Sequence, residues 1–186
     1  MTASIKSANE IDKMRIAGRL TAEVLEMIKE YVVPGVSTEE LDRRCHDYIR
    51  KVQKATPANV GYHGFPKTLC TSVNGVVCHG IPSEKDILKD GDIVNIDVTV
   101  IKDGWHGDTS RMYYAGTPSP EAKRLVDATF DCMMAGIRTS RSSSSGADDE
   151  VAYRSRWPTS SWTGMKPSAP GPAYRQPAGS GASARR

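Results

Sequence analysis

The stretch "DGDIVNIDVTVIKDGWHGDTSRMYY", residues 90–114, constrains the fold more than any other part of the chain. Val94, Ile96, Val98 and Val100 alternate with Asn95, Asp97, Thr99 and Ile101, the period-two pattern of a strand with one buried face. Asp103-Gly104 interrupts the pattern. Both residues tolerate positive φ, so the pair favours a two-residue hairpin turn. A reversal there sets Thr99 opposite Asp108 and Val98 opposite Thr109. The apolar set must then face the core. Asp97 and Asp108 share the other face as diagonal neighbours, within reach of a common ligand.

Two carboxylates this close repel each other when both are ionised. A held proton, an intervening base or a bound cation relieves the repulsion. Asn95 and His106 lie on the same face, and no Lys or Arg does. That favours a divalent cation: oxygen-rich ligation suits Mn, Fe, Co or Mg, with Zn where an imidazole joins. The competing reading is a pair of acids that cap turns or meet solvent on an open sheet face.

The flanking segments read as helices and loops. "SANEIDKMRIAGRLTAEVLEMIKEYV" opens with Ser7 and Glu10 in capping-box spacing, and Ile11, Met14, Leu20, Val24 and Ile28 recur on one face. "VPG" at 33–35 ends it. "STEELDRRCHDYIRKV" repeats the signature, with Ser37 and Glu40 as the box and Leu41, Cys45 and Tyr48 or Ile49 buried. "TPANVGYHGFPK" is a loop. "TLCTSV" and "VVCHG" flank Asn74-Gly75 and predict a further hairpin, in whose strands Cys70 and Cys78 would be core. "KDGD" at 89–92 is a turn. "SPEAKRLVDATFDCMMAGI" predicts a third helix, with Ser119 as cap, Pro120 at its first position, and Leu125, Phe130, Met133 and Met134 as apolar surface.

From Arg138 the pattern stops. Residues 138–186 contain no Leu, Ile or Phe, and 21 of the 49 are Ser, Gly or Pro. Such a segment cannot bury enough apolar area to offset its chain entropy. The expected organisation is therefore a domain over 1–137 and a disordered Ser/Arg/Gly/Pro-rich tail over 138–186. The tail's composition matches GC-rich coding sequence read out of frame. It carries seven Arg and one Lys against two Asp and one Glu, a net +5, which leaves −2 for residues 1–137. The body thus gives no electrostatic reason to expect specific nucleic-acid binding. Four cysteines without a CxxC pair argue against a disulfide scaffold. No stretch has the ~18 apolar residues of a membrane helix, and "MTASIKSANE" has no apolar run like that of a signal peptide. A cytoplasmic protein is expected.

"IKSANEIDKMRIAGRLTAEVLE", "GYHGFPKTLCTSVNGVVCHGIP" and "LKDGDIVNIDVTVIKDGWHGDTSRMYY" together closely resemble the type I bacterial methionine aminopeptidases, in register from about residue 4 to about residue 138. The resemblance implies an α+β fold, the N-terminal half of a pita-bread arrangement, with antiparallel hairpins packed against helices. It also implies metal-dependent removal of the initiator methionine from nascent chains. Two divalent ions (Co, Mn, Fe or Zn) are implied, with Asp97 bridging them and Asp108 as the second carboxylate. By the same resemblance His79 is catalytic and hydrogen-bonds substrate near the scissile amide. Tyr62, Phe65 and Cys70 form the methionine pocket, and Asn74 and Val76 hold a monovalent cation through loop carbonyls. The implied partners are peptides with N-terminal Met and the ribosome, for a monomeric protein.

His63 and His106 keep a structural or solvated reading. Asn59 departs from the cysteine many relatives carry. The family completes its metal site with a later histidine and two glutamates. Here no histidine follows His106, and the only acids after residue 137 are Asp148, Asp149 and Glu150. Two carboxylates alone do not fix two metals, so the chain is expected to have little or no peptidase activity, and an uncovered sheet edge would invite aggregation. The alternative is a non-catalytic module that contacts nascent chains or ribosomal RNA through its basic tail.

Overall fold

The computed structural model describes residues 5–142. The compact unit runs to Met133. Beyond it the description continues through 134–142, the last turns of a helix. Most of the tail expected over 138–186 therefore lies outside the described residues.

α1 spans Ala8–Ile28 and starts at the expected capping box. The Ser7 amide donates to Glu10 Oε2 at 2.8 Å, and Ser7 Oγ accepts from the Glu10 amide at 3.4 Å. Its buried stripe is Ala17, Thr21, Val24, Leu25 and Ile28. Ile11 and Met14, expected on that stripe, remain 39% and 44% exposed. The reason is where the helix meets the sheet. It lands first on Gly107 through Ala17 and Thr21, and Ile11 and Met14 precede that contact.

α2 spans Thr38–Asp47, with Ser37 Oγ accepting from the Glu40 amide at 3.1 Å. Only this half of the expected box forms, because the Glu40 carboxylate pairs with Arg43 and Arg44 instead. Leu41, Cys45 and Ile49 are fully buried.

The sheet has four strands: β1 (Thr56–Pro57), β2 (Leu69–Val73), β3 (Asp92–Lys102) and β4 (Trp105–Ala115). β4 pairs antiparallel with the whole of β3, from Lys102↔Trp105 to Asp92↔Ala115. A strand has two edges, so β1 and β2 share the other one, at Ile101–Val100 and Val98–Val94 respectively. Asp103 (φ +50) and Gly104 (φ +82) make the two-residue turn in the expected register. Val94, Ile96, Val98 and Val100 are completely buried with Val24, Ile28, Leu41 and Ile49. Tyr113 Oη donates to the Leu25 carbonyl at 2.7 Å and ties α1 to β4.

The hairpin expected at Asn74-Gly75 does not form. Of the two residues only Asn74 takes positive φ, +50. Its side chain donates to Asp92 Oδ1 at 2.8 Å and accepts from the Ile93 amide at 3.1 Å. β2 thereby joins β3, and residues 76–82 run as a loop. Cys78 is correspondingly exposed rather than core. Ser119 caps α3 (Pro120–Ser142), its Oγ accepting from the Ala122 amide at 3.1 Å. Leu125, Phe130 and Met133 on α3 are more than half exposed. No helix among the described residues is long and apolar enough to cross a membrane.

Candidate metal centre

The pleat of β3 that buries its four valine and isoleucine side chains turns Asn95, Asp97, Thr99 and Ile101 to the opposite face. Across the ladder, Asp97 stands opposite Ser110 and Thr99 opposite Asp108, so both aspartates occupy one face as diagonal neighbours. Thr99 Oγ1 donates to Asp108 Oδ1 at 2.9 Å. Neither carboxylate is fully buried: Asp97 is half-buried and Asp108 exposed.

Burial pushes the Asp97 carboxyl above its ordinary value. The Asp108 charge adds to the rise, while His79 and a hydrogen bond from the Val98 amide oppose it. The strand register puts Cys70 directly opposite Asp97 on the other side of β3. Burial, with Asp97 next, pushes the Cys70 thiol up to about 11. The Cys70 thiol beside Asp97 is therefore neutral and no nucleophile.

His79 lies on the loop after β2, exposed, and acts on Asp97 electrostatically. Its backbone is left-handed, φ +55. The loop is held by the Thr71 amide donating to the Gly80 carbonyl at 2.8 Å and the Gly80 amide to Ser72 Oγ at 3.2 Å. Gly80 cannot be replaced without displacing this loop, because a Cβ there would overlap the Thr71 carbonyl.

The other expected site residues are more dispersed. Tyr62 is 69% exposed on a short 3₁₀ turn (Tyr62–Gly64) and stacks edge-on against His63. Phe65 is half-buried just after it. Asn59 Nδ2 donates to the Thr68 carbonyl at 3.1 Å and holds that loop beside β2. Asn74 and Val76 line a groove of about 420 Å³ with Asp92 and Lys89, away from the aspartates.

One positioning residue escaped the sequence reading. Asp42 on α2 is 7% exposed and accepts from the amides of Thr68 and Leu69, both at 2.8 Å. It fixes where β2 begins and so where Cys70 lies. An acid in the middle of α2, next to buried Leu41, was the available signal.

The donor set suits an oxygen-ligated divalent cation: two convergent carboxylates with no Lys or Arg on their face. Among the described residues, however, no group of three or more His, Cys, Asp or Glu side chains converges to hold a metal. A centre of two metals does not fit these residues alone.

Residues 12–157 match metallopeptidase family M24. The chain is 59% identical over 138 residues to the methionine aminopeptidase of Escherichia coli K12, covering 74% of this chain and 52% of that protein. Its fold is similar to the crystal structure of methionine aminopeptidase from Rickettsia prowazekii (TM-score 0.71, 53% identity, 73% of this chain and 54% of that one). The enzyme from Thermotoga maritima is also similar (TM-score 0.67, 33% identity, 70% and 52%). The chain spans about half the length of the curated relatives it matches. Helices packed on an antiparallel sheet, aspartates paired on its open face and a match over most of the described residues agree: the chain belongs to metallopeptidase family M24.

Proposed function

We propose that this chain carries the Asp97–Asp108 end of a metal-dependent aminopeptidase that removes N-terminal methionine from nascent peptides, working in the cytoplasm close to the ribosome. The observation that carries the reading is the diagonal aspartate pair, with His79 and Cys70 around Asp97.

A divalent cation there supplies Lewis acidity toward a peptide carbonyl and water; manganese, cobalt, iron and zinc all suit the chemistry. The chain's own residues do the positioning. Thr99 orients the Asp108 carboxylate through its hydroxyl. His79 offers an imidazole to the substrate amide next to Asp97. Cys70, Phe65 and Tyr62 supply apolar and aromatic surface for the methionine side chain, whose flexible thioether adapts to such walls. Asn74 and Val76 offer loop carbonyls to a monovalent cation.

Two carboxylates leave metal geometry under-determined, so turnover by this chain falls far below the ~1–10³ s⁻¹ of ordinary enzymes. The test is methionine release from Met-Ala-Ser by the purified chain with added manganese or cobalt. Slow release that depends on metal and disappears in D97A is the expected result. Release without metal, or unchanged in D97A, overturns the reading, and ordinary enzyme rates overturn the incompleteness of the site.

A further inference from the structure

The loop that carries Tyr62 and Phe65 is not held by burial. Tyr62 is 69% exposed, and Val60, His63 and Gly64 are exposed as well. Its own turns give it shape. The Phe65 amide donates to the Tyr62 carbonyl at 2.9 Å, and the Gly61 amide donates to the Phe65 carbonyl at 2.8 Å. These bonds are internal, so they fix the form of the loop but not its place.

Its place is set at one residue. Thr68 is 1% exposed, and each of its polar groups is engaged by a different side chain. Its amide donates to Asp42 Oδ1 at 2.8 Å. Its hydroxyl and His46 Nδ1 share a hydrogen bond at 2.8 Å, and its carbonyl accepts from Asn59 Nδ2 at 3.1 Å. Asp42 and His46 are one turn apart on α2, so the helix grips Thr68 from one side. Asn59 stands at the start of the loop and draws that end onto Thr68, which closes the loop. Phe65 precedes Thr68 and Cys70 follows it, so both hang from this point. Asp42 is buried and also binds the Leu69 amide, so its loss disturbs β2 itself. His46 and Asn59 are only half-buried and lie outside the apolar core.

We propose that Asn59 and His46 are positioning residues for the methionine pocket. They hold Thr68 between them and so set the distance of Tyr62 and Phe65 from Cys70. A wall so placed keeps the pocket narrow enough to prefer methionine's unbranched thioether chain to the branched chain of leucine. Without the latch the wall moves outward and the preference fades. The inference rests on the methionine pocket proposed above and not on turnover.

The experiment is NMR of the full chain in metal-free buffer, titrated with Met-Ala-Ser and with Leu-Ala-Ser. Binding is read at the Tyr62 and Phe65 ring signals for the wild type, N59A, N59D, H46A and H46N. N59D is isosteric but sets a carboxylate against the Thr68 carbonyl, with no N–H to donate. H46N keeps an amide where Nδ1 stood, within reach of the Thr68 hydroxyl. The wild type is expected to prefer Met-Ala-Ser. N59A, N59D and H46A each reduce that preference about two- to tenfold, the worth of one hydrogen bond, and H46N restores it. In the same three variants the Gly61 and Phe65 amides exchange faster with solvent. The Val94, Ile96 and Val98 amides on β3 stay as slow as in the wild type, which shows the fold intact. A preference unchanged in N59D, or lowered as much by H46N as by H46A, overturns the proposal. So does faster loop exchange with an unaltered preference, which makes the latch structural only. So does a wild type that binds both peptides alike. Methionine release is measured separately with added manganese. A chain that prefers Met-Ala-Ser yet releases no methionine sinks the peptidase reading and leaves the latch standing.

Discussion

Asp97 and Asp108 are one step apart on the diagonal of the β3–β4 ladder, with Thr99 donating to Asp108 between them. A soluble divalent cation is the simplest counter-charge for such a pair. In calorimetry manganese should bind the wild type weakly, and D97N and D108N should each lower that affinity by about tenfold or more, roughly 1.4 kcal/mol. Equal affinity in all three proteins would show that the pair is only a solvated acidic patch.

Gly107 is the point of contact between β4 and α1. A Cβ there would overlap the Ala17 carbonyl and Thr21 Oγ1. Both are held in place, since Thr21 Oγ1 donates to that same carbonyl at 2.8 Å. G107A must therefore lift the helix from the sheet, at a cost of about 1–3 kcal/mol. Urea unfolding should show a lower midpoint with an unchanged slope. An unaffected midpoint would mean that α1 slides without penalty.

The β3–β4 hairpin was readable because its period, its turn pair and its valine and isoleucine face are all local. The register followed from Asp103-Gly104 alone, and with it the pairing of Asp97 and Asp108. What escaped depends on neighbours far along the chain. The Asn74-Gly75 turn looked like a hairpin, but Asn74 bonds to Asp92 and Ile93, about nineteen residues away. The buried stripe of α1 shifted to Ala17 and Thr21 because Gly107 sets the distance of closest approach, which no helical period encodes. Asp42 was hidden for the same reason: its two partners lie on a different element. His79, Tyr62, Phe65, Asn74 and Val76 were singled out only through family resemblance, since isolated loop residues carry no spacing signal.

His79 bears on Asp97 electrostatically, and Gly80 holds it there. His79 draws the Asp97 pKa down against burial and Asp108. H79A removes that influence and G80A moves it away, because the loop cannot stay against the Thr71 carbonyl. In both variants the Asp97 carboxyl titrates at higher pH than in the wild type, as followed by carbon NMR of the side chain. An unchanged titration would place His79 outside the site.

Asp42 gives the fold a pH dependence whose sign can be worked out. Burial raises its pKa above the ordinary 3.8 and outweighs the amides of Leu69 and Thr68, which pull it down. A raised folded pKa means the protonated form is the better fit. Its stabilisation is complete below 3.8 and is lost as pH rises through the folded value. Carboxyls with lowered pKa values, Glu10 and Asp47 among them, act in the opposite direction in the wild type. They cancel in a comparison with D42N, which keeps an acceptor oxygen for both amides and does not titrate. Wild-type stability relative to D42N therefore falls as pH rises from the acid range toward neutrality, read from urea midpoints of the two proteins. D42A, which leaves two buried amides without an acceptor, costs about 2–3 kcal/mol at acid pH, and the cost shrinks as pH rises. If the wild type instead gains on D42N with rising pH, the two amide bonds outweigh burial and Asp42 is held as a carboxylate.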